Sequence, residues 1–351
     1  MRYPEFLKDN GSIGLVAPSF GCNIEPYKSA LNNALVKFKD LGYYVNLGEN
    51  CYKGEGVGIS ASPRSCANEL VSSYVNKEND VLISVGGGEL MCEILPNVDF
   101  EAVKAASPKW YMGYSDNTNF TFLLTTIADV ASIYGPCAGT FGMDKWHESL
   151  YDTMSVLTGK KLTAKNYDMY EVESLKDEEH PLASYNCTEK TKIGAYVTNE
   201  LGIMLTNEAR LKGRLIGGCL DCLVNLVGTK YDYVNQFTEK YKDDGIIWYL
   251  EACDLNVFDI RRALWHMEEA GWFKHARGFI FGRALHPETM FNLTLDDAEL
   301  EHTLKKHPET VVITGADIGH VAPMMPIING SLAAVSYKAG KLDIDMGIEL
   351  Y

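Results

Sequence analysis

Apolar and polar positions switch between two periods along the first part of the chain. The run SIGLVAP (12–18) is short, apolar and closed by proline, which predicts a buried strand. Tyr27, Leu31, Ala34, Leu35, Phe38 and Leu41 then share one helical face, and Gly42 ends that helix. YYVNLG returns as a strand, and SPRSCANELVSSYV as a helix with Pro63 in its first turn. DVLISVGGG reads as a strand running into a glycine turn, and ELMCEIL as a short helix stopped by Pro96. KWYMG is the next strand, NTNFTFLLTTIADV its helix and ASIYGP a further strand. This repeated strand–helix order predicts a parallel sheet with helices on both faces.

Residues 157–205 are charged and weakly periodic, and read as a polar linker or an edge β segment. The second part opens with GRLIGGCLDCLVNLVGT, read as a strand, a glycine turn and a helix. DGIIWYLEA is a strand ending in acid, and NVFDIRRALWHMEEAGWF an amphipathic helix stopped near Gly271. ARGFIFGR and TVVITGADIGH follow as strands, and GSLAAVSYKAGKLDIDM alternates like a terminal hairpin. The expectation is an α/β protein: a parallel-sheet domain over residues 1–156, a linker over 157–205, and a smaller α/β domain rich in strands over 206–351.

At 351 residues the chain is long for one core, which agrees with two domains. The formal charge of −15 argues against nucleic acid as a partner, because phosphate binding needs a cationic surface. The N-terminal stretch has no basic region followed by an apolar run, and no segment approaches the roughly 18 apolar residues of a membrane span. Cytoplasmic residence and no membrane partner are therefore expected. Nine scattered cysteines read as reduced thiols. Cys219 and Cys222 have CxxC spacing, but no second CxxC or HxxxH accompanies them, so they read as small buried residues rather than a metal or redox site.

The chemistry-bearing stretch is KWYMGYSDNTNF (109–120). Ser115 lies just past a predicted strand end, where ligands bind in parallel α/β sheets, and at the positive end of the next helix. It reads as a nucleophile or, alternatively, Ser115 or Asp116 caps the helix. The stretch does not meet the G-x-S-x-G elbow pattern. Gly86-Gly87-Gly88 fits neither dinucleotide nor P-loop fingerprints. An amide from this turn, with that of Asp116, suits an oxyanion. Of eight histidines, His320 stands out at the end of VVITGADIG. His180 and His307 precede proline, His302 reads as part of a solvated helix, and His266 as half-buried packing. His147, His275 and His286 fall in surface connections. Glu251, ending the apolar IIWYL, is the leading orienting acid, with Asp254 and Asp317 as alternatives.

Four blocks stand in order: VGGGELMCEILPNVDF, GYSDNTNFTFLLTTIADVASIYGPCAGTFG, GGCLDCLVNLVGT with DGIIWYLEA, and GADIGHVAPMMPIINGSLAAV. In this order the chain resembles the LD-carboxypeptidase family of serine peptidases, which includes murein tetrapeptide LD-carboxypeptidases and microcin C immunity peptidases. The resemblance implies a Ser115–Glu251–His320 triad and an oxyanion hole from Gly87, Gly88 and the Asp116 amide. It also implies a Rossmann-like N-terminal domain, a β-rich C-terminal domain, a site at the domain junction, a homodimer, and no metal or organic cofactor. The substrate would be a small peptide or peptide conjugate with a free carboxylate. Arg214, Arg261 and Arg283 are candidates to meet that carboxylate, each also readable as structural. TFG after YGPCAG and HVAPMMP look closer to the microcin-immunity branch, which cleaves aminoacyl-nucleotide-like amides. Cys219 stands where the family often has Asn, and Ala252 where it often has a second acid. Those departures keep a catalytically silent ligand-binding homologue open as the alternative.

Overall fold

The computed structural model describes residues 1–347 and 349. The chain divides into two compact units. The first comprises Met1–Leu162, Glu173–Asn186 and Pro326–Ile328; the second comprises Thr163–Val172, Cys187–Met325 and Asn329–Tyr351.

Five strands of the first unit are parallel: β1 Ser12–Val16, β2 Tyr44–Leu47, β3 Val81–Ser84, β4 Trp110–Gly113 and β5 Ser132–Tyr134. Their spatial order is β5-β4-β3-β1-β2, and Ile327–Asn329 extends the sheet beside β5. Every residue of β3, β4 and β5 is buried, as strands covered on both faces require. Helix 63–75 starts where its pattern predicts, because the Ser62 side chain accepts the Ser65 amide at 3.2 Å and Pro63 occupies the first turn. Helix Thr118–Thr126 is buried on all sides, which explains its weak amphipathic pattern.

The ELMCEIL segment differs from expectation. It is a 3₁₀ helix over Met91–Asn97 with Pro96 inside it, and a separate α-helix follows at Phe100–Ala105. Proline lacks the amide that an α-helical turn would use, so a short 3₁₀ run accommodates it.

The second unit is built on a sheet with four parallel strands at its centre. Beyond β5, strands β6 Thr163–Lys165, β7 Met169–Glu171, β8 Cys187–Lys190, β9 Gly194–Asn199 and β10 Gly202–Leu205 lie in the polar 157–205 stretch. They are followed by β11 Glu208–Cys219, β12 Ile246–Glu251, β13 Ala276–Gly282 and β14 Val311–Ala316. With β15 as Ile327–Asn329, the terminal hairpin is β16 Leu332–Lys338 and β17 Lys341–Asp345. The sheet runs β10-β9-β14-β13-β12-β11-β16-β17-β6, parallel from β14 to β11 and antiparallel outside it. β7 and β8 form a separate ribbon.

The glycine turn expected after GRLI is absent, because β11 continues through Gly217 and Gly218 to Cys219. A Cβ at Gly217 would stand 1.7 Å from the Tyr249 carbonyl oxygen, so glycine there permits close strand approach rather than a turn. Helix Val257–Glu269 has an N-terminal capping box, with Asn256 accepting the Phe258 and Asp259 amides at 2.9 and 3.2 Å.

Candidate active site

In the first unit the C-terminal ends of β1, β3 and β4 lead to Ser19, the glycine turn and Ser115. Register pairs Val16 with Ser84 and Ile83 with Met112, so these loops emerge from neighbouring strands on one edge of the sheet. Ser115 has φ +62°, a left-handed conformation that a residue with a Cβ rarely adopts and that recurs at functional sites. The Ser115 amide donates to the Tyr134 hydroxyl at 3.3 Å. A sharp strand-to-helix turn at the serine is therefore present without the full elbow pattern. Gly113 fills the position two before it; a Cβ there would stand 2.8 Å from Asn117 Cγ. Asn117 fills the position two after and performs a strut's task. Its Nδ2 donates to the Gly86 carbonyl at 2.8 Å and the Tyr114 carbonyl at 3.1 Å, while Tyr111 donates to its Oδ1 at 2.5 Å.

The glycine turn lies against the serine. A Cβ on Gly87 would stand 3.1 Å from Ser115 Cβ, and one on Gly88 would stand 2.0 Å from Ser19 Oγ. The Gly87 carbonyl accepts the Phe20 amide at 2.8 Å, which fixes the turn. Among the described residues, the Gly87 and Gly88 amides donate no hydrogen bond. Below this turn the Asp116 carboxylate is buried. It accepts Ser19 Oγ at 2.5 Å, the Met91 amide at 2.9 Å and Asn119 Nδ2 at 3.0 Å. Burial pushes its pKa up to about 6 against the lowering effect of those donors. Asp116 is thus a hub tying β1, the 91–97 turn and the serine turn together. Its side chain does not take the simple helix-capping role considered for it.

In the second unit Glu251 ends β12 and His320 follows β14. His320 Nδ1 lies 2.8 Å from Glu251 Oε2, and Glu251 is 2% exposed. Burial disfavours charge on the imidazole, but the Glu251 charge and the hydrogen bonds His320 makes to Cys253 and Glu251 outweigh it, holding His320 well above the ordinary histidine range. Gly319 makes the approach feasible. It has φ +99°, and a Cβ there would stand 2.3 Å from Glu251 Oε2. Register places Cys219 of β11 directly beside Glu251.

The other sequence candidates have different tasks. Asp317 is fully buried, accepts the Tyr167 amide at 2.6 Å and pairs with Arg283. The Asp254 amide is held by Asp221 at 2.8 Å. Arg214 is buried against Asp244 and Glu349, at 2.5 and 2.8 Å, with its guanidinium 4.0 Å from the Tyr241 ring centre. Arg261 pairs with Glu301 at 3.3 Å, and Arg283 also lies over Tyr170. All three arginines are engaged in ion pairs, in keeping with structural roles. Two histidines depart from expectation. His302 is buried rather than solvated, because the lysines beside it point away from the packed face, and His266 is exposed rather than half-buried.

Comparison with known sequences covers both units. The LD-carboxypeptidase N-terminal domain matches residues 13–135, and the LD-carboxypeptidase C-terminal domain matches residues 212–335. The chain belongs to the LD-carboxypeptidase family. A Treponema pallidum protein named as a carboxypeptidase is 23% identical over 334 residues, covering 92% of this chain and 89% of that one. The Escherichia coli microcin C7 self-immunity protein MccF is 23% identical over 292 residues, covering 79% and 76%. Its structure in complex with aspartyl sulfamoyl adenosine superposes with a TM-score of 0.78 at 18% identity, covering 97% of this chain and 98% of that one. An MccF-like protein from Bacillus anthracis gives 0.78 at 20% identity and 98% of both chains. These likenesses establish the fold: a parallel α/β unit with a second, β-rich unit.

In this LD-carboxypeptidase-family chain, several residues around the serine were not singled out from sequence. Asn117, Asn119 and Ser19 are at most 2% exposed. The signal was present in the polar NTN opening an otherwise apolar helix, since buried amides are retained only when hydrogen-bonded. Cys253, which hydrogen-bonds His320, gave no such signal.

Proposed function

We propose that the protein is a serine-type carboxypeptidase or amidase acting through Ser115, His320 and Glu251. The observation that carries this reading is the buried Glu251 carboxylate 2.8 Å from His320 Nδ1, an arrangement that fixes one tautomer and leaves Nε2 for proton transfer. His320 takes the proton of Ser115 Oγ as that oxygen attacks the scissile carbonyl. The tetrahedral oxyanion is stabilised by the amides of Gly87 or Gly88 and of Asp116. His320 then protonates the leaving amine, and water, deprotonated by the same imidazole, releases the acyl group. The left-handed Ser115 and the amides of the glycine turn, which donate no hydrogen bond among the described residues, support these roles.

The substrate class in this reading is a short peptide or conjugate ending in a free carboxylate, as in LD-carboxypeptidase action. A second reading, hydrolysis of an aminoacyl-nucleotide conjugate, is favoured by the relationship to MccF and by that protein's complex with aspartyl sulfamoyl adenosine. Incubation with a murein tetrapeptide and with an aminoacyl sulfamoyl nucleoside, with products identified by mass, separates the two. Labelling by a fluorophosphonate probe tests the shared chemistry. Ser115 is expected to react, His320→Ala to suppress that reaction, and Ser115→Ala to lower turnover by roughly 10⁴-fold or more. Near-normal hydrolysis by Ser115→Ala would refute the assignment.

A further inference from the structure

Beside the Glu251–His320 pair lies a set of soft donors that the proposed hydrolysis does not use. Parallel register sets Cys219, the last residue of β11, against Glu251, the last residue of β12. One donor atom from each of Cys219, Glu251 and His320 lies within 4.8 Å of the other two. Cys253 hydrogen-bonds His320 from the loop after β12, and Cys222 hydrogen-bonds Cys219 from the next helix. All three cysteines are reduced. Asp221 fixes this cluster from behind, accepting the Cys253 amide at 3.0 Å and the Asp254 amide at 2.8 Å.

We propose that Cys219, Glu251 and His320 form a binding site for one thiophilic divalent cation of the zinc class, and that its occupancy switches the hydrolase off. One thiolate, one imidazole and one carboxylate make a donor set that zinc takes readily. Magnesium and calcium, which require oxygen ligands, are poorly served by it. Metal–ligand bonds of roughly 2.0–2.3 Å place tetrahedral donors about 3–4 Å apart, so the three groups need to move inward only slightly. Cys219 and Glu251 are buried, whereas His320 is partly exposed and opens the cluster to an entering ion. On binding, the Cys219 S–H bond and one N–H bond of the His320 imidazolium break, both protons go to solvent, and a sulfur–metal and a nitrogen–metal bond form. No electron is transferred. The ion then holds the imidazole lone pair and the carboxylate that proton transfer requires. The binding half of this proposal stands on the cluster alone, and the inhibitory half rests on the hydrolase reading.

The test uses the full-length protein, freed of metal by chelation and titrated with cadmium as a spectroscopic zinc analogue. One equivalent per chain should raise a thiolate-to-cadmium charge-transfer band, and calorimetry with zinc should give the same stoichiometry. Loss of a hydrogen-bond partner behind a ligand already weakens metal sites by about 10–100-fold, so removal of a ligand by Cys219→Ser should weaken binding by about 100-fold or more. His320→Asn, on a different element, should weaken it comparably and guards against a folding defect in the first variant. Cys66→Ser, in the first unit, should leave the band intact. Stoichiometric zinc should abolish hydrolysis, and a chelator should restore it. Absence of the band, or a band unaffected by both ligand substitutions, would overturn the site. Hydrolysis unchanged or raised by bound zinc would overturn the inhibitory half. A protein that never hydrolyses but shows the Cys219-dependent band would count against the hydrolase reading while supporting the site.

Discussion

Replacing Asp116 by asparagine should reverse the order of stability between the wild type and the variant as pH rises. The Asp116 carboxyl is buried beneath the serine turn, and its pKa stands at about 6 against an ordinary 3.8. Below about pH 3 the group is protonated in both the folded and unfolded chains. Between about pH 3 and 6 the unfolded chain ionises while the folded one holds its proton, so stability falls with rising pH. At about 1.36 kcal/mol per pKa unit, the loss is complete above pH 6 at about 3 kcal/mol. Asparagine cannot ionise and escapes this loss, but it offers one acceptor oxygen to Ser19 Oγ and the Met91 amide and forces Asn119 to turn. That rearrangement costs about 1 kcal/mol at any pH. The wild type should therefore be the more stable by about 1 kcal/mol at pH 3, and the variant by about 2 kcal/mol at pH 7. Urea unfolding at several pH values, followed by hydrogen exchange of β3 and β4 peptides, reads the first unit specifically. Other titrating groups cancel in the difference between the proteins. A difference that stays constant from pH 3 to 7 would refute the buried-hub reasoning.

Gly319→Ala should lower turnover by about 100-fold or more, because its Cβ would displace Glu251 Oε2; kinetics on variant shown to be folded by circular dichroism checks this. Glu251→Gln should lower kcat by about 10³–10⁴-fold. Since the Glu251 charge holds His320 protonated, wild-type turnover should climb on the alkaline side of neutrality, and the residual activity of Glu251→Gln should reach its plateau at lower pH. Arg214→Met leaves Asp244 and Glu349 without their buried partner and should destabilise the second unit by about 3–5 kcal/mol, measured by chemical denaturation.

The parallel order of the first sheet was legible because its inner strands β1, β3, β4 and β5 are buried, and continuous apolar runs bounded by glycine and proline mark such strands. The catalytic candidates were legible for a related reason. Ser115, Glu251 and His320 each end an apolar run, and a polar residue at the end of a buried strand has few structural tasks available. What sequence did not convey depended on distant contacts. Gly217 looks like a turn residue until Tyr249, from the neighbouring strand, presents its carbonyl oxygen to it. Met91–Asn97 looks α-helical until Pro96 and the Asp116 contact to the Met91 amide impose a tighter turn.

The two groups of candidate residues are held by different physical means, and this sets how each should respond to change. Around Ser115 the supports are buried polar side chains, Asp116, Asn117, Asn119 and Ser19, which satisfy one another through directed bonds. Such a network tolerates a change of shape poorly and also responds to pH through its single carboxylate. Around Glu251 the supports are absences of side chain, at Gly282 and Gly319, where a Cβ would stand 2.9 Å from Glu251 Cβ and 2.3 Å from its Oε2. That arrangement fixes the carboxylate's position by contact, so a single added methyl disrupts it. The same closeness explains why Cys219 escaped the CxxC reading. Its significance lies in its register with Glu251 on the adjacent strand, 32 residues away in sequence, and not in its spacing from Cys222.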